Sequence, residues 1–169
     1  WYLYNKFPNW EDCHREWISM GGKALFEELY PTVSVLIPIY KPDLGYLKQC
    51  LDSMLDQRQE DTFYKFTDFE VLLLAEPFGK RTIEKAVLEY DDPRLVLLFN
   101  EERKGIAASL NRGLKEAKGR YIARMDDDDI CADSRFRKQV SFLNHHPEIS
   151  MCVSDYEYFG DMNEGRIIP

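Results

Sequence analysis

Five short, almost continuously apolar runs punctuate this chain: Val33–Ile37, Val71–Leu74, Leu95–Phe99, Tyr121–Met125 and Ile149–Val153. Each reads as a strand buried on both faces. Between them, apolar residues recur at helical spacing: Leu44, Leu47, Leu51, Met54 and Leu55, then Ile83, Val87 and Leu88 within Thr82–Tyr90, then Ile106, Leu110 and Leu114. A further helix carries Phe136, Val140 and Leu143, with Asp133 as its expected cap and Pro147 after its end. Gly119 follows the third helical stretch at the place where helices often stop. Buried strands alternating with amphipathic helices demand an α/β architecture, a mostly parallel sheet with helices on both faces.

Sheets of this kind bind ligands beyond the carboxyl ends of their strands. Pro38-Ile39-Tyr40, Ala75-Glu76, Asn100 and the acidic run Asp126-Asp127-Asp128-Asp129 all fall at such ends and are expected on one rim. Adjacent carboxylates repel one another, so a chain gathers them at a strand mouth chiefly where a cation will sit. Two carboxylates spaced i, i+2 can hold one divalent ion, which in turn can hold a diphosphate. Taken alone, the same run would read as a solvated loop. The polar and aromatic stretch from Asp56 to Thr67 is expected at the opposite end of the sheet.

Composition narrows the function classes. The chain has 169 residues, 44% hydrophobic and 31% charged, which suits a globular domain with its own core. A net charge of −8 excludes a basic nucleic-acid surface and suits a protein that recruits cations. The scattered cysteines, Cys13, Cys50, Cys131 and Cys152, make no CxxC pair; Cys50 and Cys152 read as reduced core residues, which points to the cytoplasm. No apolar run reaches the length of a membrane span and no signal peptide is evident, so membrane attachment at the cytoplasmic face would come through the rest of a parent protein.

Residues 1–30 read as a separate helical extension, and residues 31–169 as the main domain. Asn9 can cap a helix with Glu11 and Asp12 in its first turn, and Trp10, Trp17, Leu25 and Phe26 would give it an apolar side. It is either a packed arm, the reading aromatic stripes favour, or a partner-binding helix. His145-His146 stand next to each other at a helix end, too divergent to chelate an ion.

Several fragments, in order, resemble the family 2 glycosyltransferases of GT-A fold. They are Pro31–Tyr40, Leu51–Gln57, Asp68–Val71 and above all Gly105–Asp129, followed by a helix with Arg135, Lys138-Gln139 and Phe142-Leu143. The resemblance covers roughly residues 31–154. It implies transfer of a sugar, usually with inversion, from a nucleotide-diphosphate donor, a UDP-sugar foremost, to a glycan or lipid-linked acceptor. Cell-surface polysaccharide synthesis is the setting it suggests. Asp126-Asp127-Asp128 matches the family's DxD motif. By that match Asp128 would ligate Mn²⁺ or Mg²⁺, and Asp126 would face the ribose or join the metal shell; Asp127 and Asp129 either assist or turn the chain. Pro38 and Tyr40 match the loop that lies against the nucleotide base, where Tyr40 would stack on the base or else close the core. Arg103-Lys104 before Gly105 matches a position near the phosphates, or is a solvated basic pair.

Two departures stand out. The family's Asp-Asp-Gly-Ser stretch after the second strand, in which an Asp bonds the nucleotide base, is here Ala75-Glu76-Pro77-Phe78, so the first Asp is lost and Glu76 would have to replace the second in binding the nucleotide. Family members also continue well past this C-terminus, and the catalytic base is expected beyond Pro169; Asp155, Glu157 and Asp161 come too early to match it. A non-catalytic nucleotide-sugar-binding module, or an inactive fragment lacking the base, is the alternative. A nucleotidyltransferase would need a glycine-rich basic loop after the first strand, and a dinucleotide-binding domain would need GxGxxG there; neither is present.

Overall fold

The computed structural model describes residues 2–5, 31–57, 66–158 and 166–168. The elements run β1 (Tyr2–Asn5), β2 (Val33–Ile39), α1 (Leu44–Leu55), β3 (Phe69–Ala75), α2 (Lys80–Leu88), β4 (Leu95–Phe99), α3 (Ile106–Glu116), β5 (Tyr121–Arg124), α4 (Arg135–His145), β6 (Met151–Val153), β7 (Tyr156–Tyr158) and β8 (Arg166–Ile168). The main sheet has the order β4-β3-β2-β5-β1-β6, and β7 and β8 form a separate antiparallel pair. β2, β3, β4 and β5 pair in parallel, as continuous apolar strands should.

Strand alternation sorts the core into two layers. Val33, Val35, Ile37 and Ile39 of β2, with Val71 and Leu73 of β3 and Ala123 of β5, face α1, α2 and α4 through Leu47, Leu51, Met54, Ile83, Val87, Phe136, Val140 and Leu143. Leu36, Leu72, Leu74 and Ile122 face the other way, against Leu110, Leu114 and Ala117. Both faces are therefore covered, and the carboxyl ends of the parallel strands are left open as a rim.

The structure differs from the sequence expectation in several places. The run Ile149–Val153, expected as a strand buried on both faces, is the short edge strand β6, which leaves Met151 and Val153 exposed, and Ile106 at the start of α3 is exposed as well. Tyr2–Asn5, expected within a helical extension, is a strand antiparallel to both β5 and β6, with Leu3 opposite Ala123 and Cys152. The crossover through α4 leaves one strand width between β5 and β6, and β1 supplies the backbone partners that both need there. The helix expected from Asn9 lies outside the described residues, as does most of the Asp56–Thr67 loop. Leu88, assigned to the core side of α2, is 77% exposed, because Ile83 and Val87 already set the buried stripe and Leu88 projects about 100° away. The N-cap of α4 is Ser134 rather than Asp133, with no side-chain cap bond of its own. Gln57, buried at the end of α1, accepts from Phe136 N–H at 3.3 Å and donates to Ala132 O at 2.9 Å, so that a residue 79 positions away does the work of a local cap.

At the end of the sheet away from the rim, Glu70 is buried and accepts from Ser34 Oγ at 2.6 Å and from Lys118 N–H at 2.8 Å, while Gly119 N–H donates to Ser34 Oγ at 2.7 Å. A Cβ on Gly119 would lie 2.4 Å from Ser34 N and 2.7 Å from Val33 C, so glycine is required there by close approach of two backbones. Gly119→Ala is expected to destabilise the fold by about 1–3 kcal/mol, the usual cost of overpacking, as measured by urea unfolding; an unchanged midpoint would contradict this packing.

Candidate functional site

Sheet register assembles the rim. Leu36 of β2 lies opposite Arg124 of β5, Ile39 opposite Ala75 of β3, and Ala75 opposite Phe99 of β4. Stepping across the strand ends therefore passes Asn100, Glu76, Tyr40 and the acidic run, neighbours separated by roughly one strand spacing of about 4.8 Å. The residues expected at one rim are brought to one rim.

The acidic turn is held from below by α1. Cys50 Sγ donates to Asp126 O at 3.4 Å, Cys131 N–H donates to Ser53 Oγ at 2.9 Å, and Gln57 fastens Ala132. Asp129 N–H closes the turn on Asp126 O at 3.4 Å. Two arginines approach it. Arg124 pairs with the Asp126 carboxylate, and Arg135, buried under the turn, donates to Arg124 O at 3.2 Å and to Gln139 Oε1 at 3.2 Å.

These cations do not neutralise the run. Burial raises Asp126, against the opposing pull of Arg124. Burial, then the charge of Asp128, pushes Asp127 up to about 6, and the same causes in the same order push Asp129 up to about 6. Asp127 Oδ2 is buried without a hydrogen-bond partner. Asp128 is exposed at the tip. Partly desolvated carboxylates with spare lone pairs are what a hard divalent cation would compensate. Among the described residues no group of three or more His, Cys, Asp or Glu is drawn together around an ion position.

The neighbouring strand end carries an aromatic and cationic corner. Tyr40 and Phe78 meet edge to face with centroids 5.4 Å apart, and both rings are substantially exposed, at 45% and 37%. Lys41 Nζ lies 5.4 Å from the Tyr40 centroid and 5.3 Å from that of Phe78, and Arg103 Cζ lies 4.9 Å from Tyr40. Lys41 has φ 50°, a left-handed conformation that non-glycine residues rarely adopt. Pro38 is in β2 itself, opposite Leu74, one residue short of the strand end.

Glu76 is buried and turned inward. Its carboxylate accepts from Gly105 N–H at 2.8 Å, from Lys104 N–H at 3.0 Å and from Ser109 Oγ at 3.2 Å. Gly105, the N-cap of α3, has φ 80° and ψ 166°, a backbone region that is essentially glycine's alone. Lys104 points outward and pairs with Glu102 at 2.5 Å. A groove of about 500 Å³ between α1 and α2, lined by Leu47, Lys48, Leu51, Lys85, Glu89 and Tyr90, contains none of the candidate residues. His145 and His146 bond to Ser141 O and Glu148 at the C-terminal end of α4, as a helix terminus would have them.

Gln57, Cys50, Ser53, Arg124 and Arg135 received no role at the acidic turn from sequence, where Cys50 read only as a core thiol. Their signal is three-dimensional: each holds or flanks the acidic turn from another element or from the strand before it.

The model of the family described as "Glycosyl transferase family 2" matches residues 34–168. This chain belongs to glycosyl transferase family 2. The family 2 relatives include the amylovoran biosynthesis glycosyltransferase AmsE of Erwinia amylovora, 35% identical over 137 residues, covering 79% of this chain and 48% of AmsE. They also include the UDP-Glc:alpha-D-GlcNAc-diphosphoundecaprenol beta-1,3-glucosyltransferase WfgD of Escherichia coli, 33% identical over 125 residues, covering 74% of this chain and 46% of WfgD. The chain spans about half the length of the curated relatives it matches. S. aureus TarS 1-349 in complex with UDP-GlcNAc superposes with a TM-score of 0.58 at 24% identity, covering 68% of this chain and 32% of TarS. The mannosyltransferase PcManGT from Pyrobaculum calidifontis, in complex with GDP-Man and Mn²⁺, gives 0.56 at 24%, covering 69% and 33%. These neighbours place the family 2 domain in the GT-A fold. Among its described residues no helix is long and apolar enough to cross a membrane.

The raised carboxyls make a stability prediction. A carboxyl with a folded pKa above its unfolded value favours the fold while protonated; that contribution is full below about pH 4 and is lost as pH rises through about 6. Asp127→Asn mimics the protonated form. It is expected to stabilise the metal-free protein at pH 7.5 by about 1 kcal/mol, after discounting for solvent screening, and by nothing near pH 3.5. Urea unfolding at the two pH values checks this.

Proposed function

We propose that this chain forms the donor-binding half of a metal-dependent, inverting glycosyltransferase whose donor is a nucleotide-diphosphate sugar, foremost a UDP-sugar. The observation that carries the reading is the incompletely compensated carboxylate cluster at the end of β5, adjacent to the exposed Tyr40–Phe78 corner with its two cations. One end of the rim suits a cation and the other suits a flat base and an anion.

In this reading Asp128, with Asp126, would hold Mn²⁺ or Mg²⁺. That ion supplies positive charge against the diphosphate as the glycosidic bond breaks. Asp127, half-buried with one unpartnered oxygen, keeps the turn's negative potential high. Arg124 sets the orientation of Asp126, and α1 fixes the turn through Cys50, Ser53 and Gln57. Tyr40 offers a ring face for the base behind Pro38, and Arg103, stacked on that ring, is placed for a phosphate. The acceptor base is not assigned to any described residue. The names of AmsE and WfgD favour a glycan or lipid-linked acceptor and cell-surface polysaccharide synthesis. The free thiols of Cys50, Cys131 and Cys152 support a reducing, cytoplasmic setting.

Calorimetric titration with UDP, GDP and TDP, each with and without Mn²⁺, tests the proposal. One nucleotide is expected to bind only with the metal, and Asp128→Asn should weaken that binding by more than about tenfold, a loss that even outer-sphere changes can cause. Metal-independent binding that the variant leaves intact, or no binding by a demonstrably folded protein, would refute it.

A further inference from the structure

Glu76 stands where the family places a carboxylate against the base, yet its contacts here run the other way. Its own N–H donates to Ile39 O at 3.0 Å, tying it to the end of β2. Its carboxylate gathers the amides of Lys104 and Gly105 and the hydroxyl of Ser109. Ser109 Oγ in turn accepts from Asn100 Nδ2 at 2.7 Å, and Asn100 Oδ1 accepts from Arg112 Nη1 at 3.1 Å, while Arg112 also donates to Phe99 O at 2.6 Å. Asn100 N–H closes the ring on Ala75 O at 2.8 Å. The ends of β2, β3 and β4 and the start of α3 are thus joined in one largely buried polar network in which, among the described residues, Glu76 supplies the carboxylate.

Two consequences follow for the loop between β4 and α3. The amides of Lys104 and Gly105, just ahead of the first turn of α3, already have an anionic partner, so a phosphate does not gain those two. The loop is also pulled inward at Lys104 and Gly105, which turns the preceding side chain outward and lays Arg103 over Tyr40. Gly105 makes this possible: its φ of 80° with ψ of 166° aims its N–H at Glu76, and a Cβ there would meet open space, so the requirement is conformational and not steric.

We infer that Glu76 is a positioning residue, which presets the Arg103-Lys104-Gly105 loop so that the Arg103 side chain, and not the amides of Lys104 and Gly105, meets the donor diphosphate. This rests on the donor-site reading above and assigns the phosphate contact within it. Charge-assisted hydrogen bonds to two successive amides fix a loop more firmly than neutral ones, so loss of the carboxylate releases Arg103 from its place.

The test uses the full chain with Mn²⁺ and three probes: inorganic pyrophosphate, UDP and GDP. Amide hydrogen exchange at residues 104 and 105 is followed by NMR alongside calorimetry. In Glu76→Gln the two amides are expected to lose protection, pyrophosphate and both nucleotides should weaken by a common factor of about ten or more, and the UDP-to-GDP ratio should stay constant. Ser109→Ala, which removes one of the donors to Glu76, should shift the same readouts in the same direction by less, and it serves if the first variant does not fold. A changed UDP-to-GDP ratio with pyrophosphate unaffected would make Glu76 a reader of the base and overturn the inference. Lost protection with all three affinities unchanged would reduce it to a helix cap and overturn it too. If the wild-type protein binds none of the probes, the donor-site reading itself fails and takes this inference with it.

Discussion

Four consecutive carboxylates at the end of one buried strand are an electrostatic problem that the surrounding structure contains without removing. Asp126 has Arg124 beside it, and Arg135 lies beneath the turn, but Asp127 and Asp129 are still driven up toward neutral pH by burial and then by the charges of Asp128 and Asp126. The turn holds its shape because α1 grips it from below through Cys50, Ser53 and Gln57, and because Met125 N–H bonds to Leu36 O at 3.2 Å. The packing of α1 on β2, through Leu47, Leu51 and Met54, therefore matters to the site as much as the aspartates do. A fold that held the run less tightly would let the carboxylates splay into water, and nothing there would favour a cation.

The architecture was legible from sequence because its signal is local. Short continuous apolar runs rich in β-branched residues suit two-sided strands, and helical spacing between them dictates where the sheet is covered. The rim followed from the same pattern, since every strand end could be counted. What was not legible depends on partners far away in sequence. Asp133 looked like the cap of α4, but Gln57, just past the end of α1, supplies that bond. Glu76 looked like the stand-in for the family's second Asp, but the loop from Lys104 to Ser109 closes on it. Gly119 looked like a helix stop, and its real constraint is the backbone of β2 a few ångströms away. In each case the residue type was right for its location and its partner was invisible.

Tyr2–Asn5 carries the same lesson for topology. A short stretch with no periodicity of its own becomes a strand because β5 and β6 leave an unfilled lane between them, and unpaired backbone in a sheet interior is costly. The two helix caps made at long range, by Gln57 on α4 and by Glu76 on α3, both lie close to the rim. Fixing helix starts by long-range side chains ties neighbouring strand ends together, and it leaves the exposed rings and cations of the Tyr40 corner on a rigid base.

The central claim is that a divalent cation and a diphosphate meet at the end of β5. Paramagnetic broadening of amide NMR signals by substoichiometric Mn²⁺ in the presence of UDP tests it most directly, because the effect falls steeply with distance from the ion. The account predicts selective loss of the signals of Asp126 to Asp129, with weaker broadening at Tyr40 and Arg103, while Glu70 and Lys118 at the far end of the sheet stay sharp. Broadening centred anywhere else, or spread evenly over the surface, would contradict it.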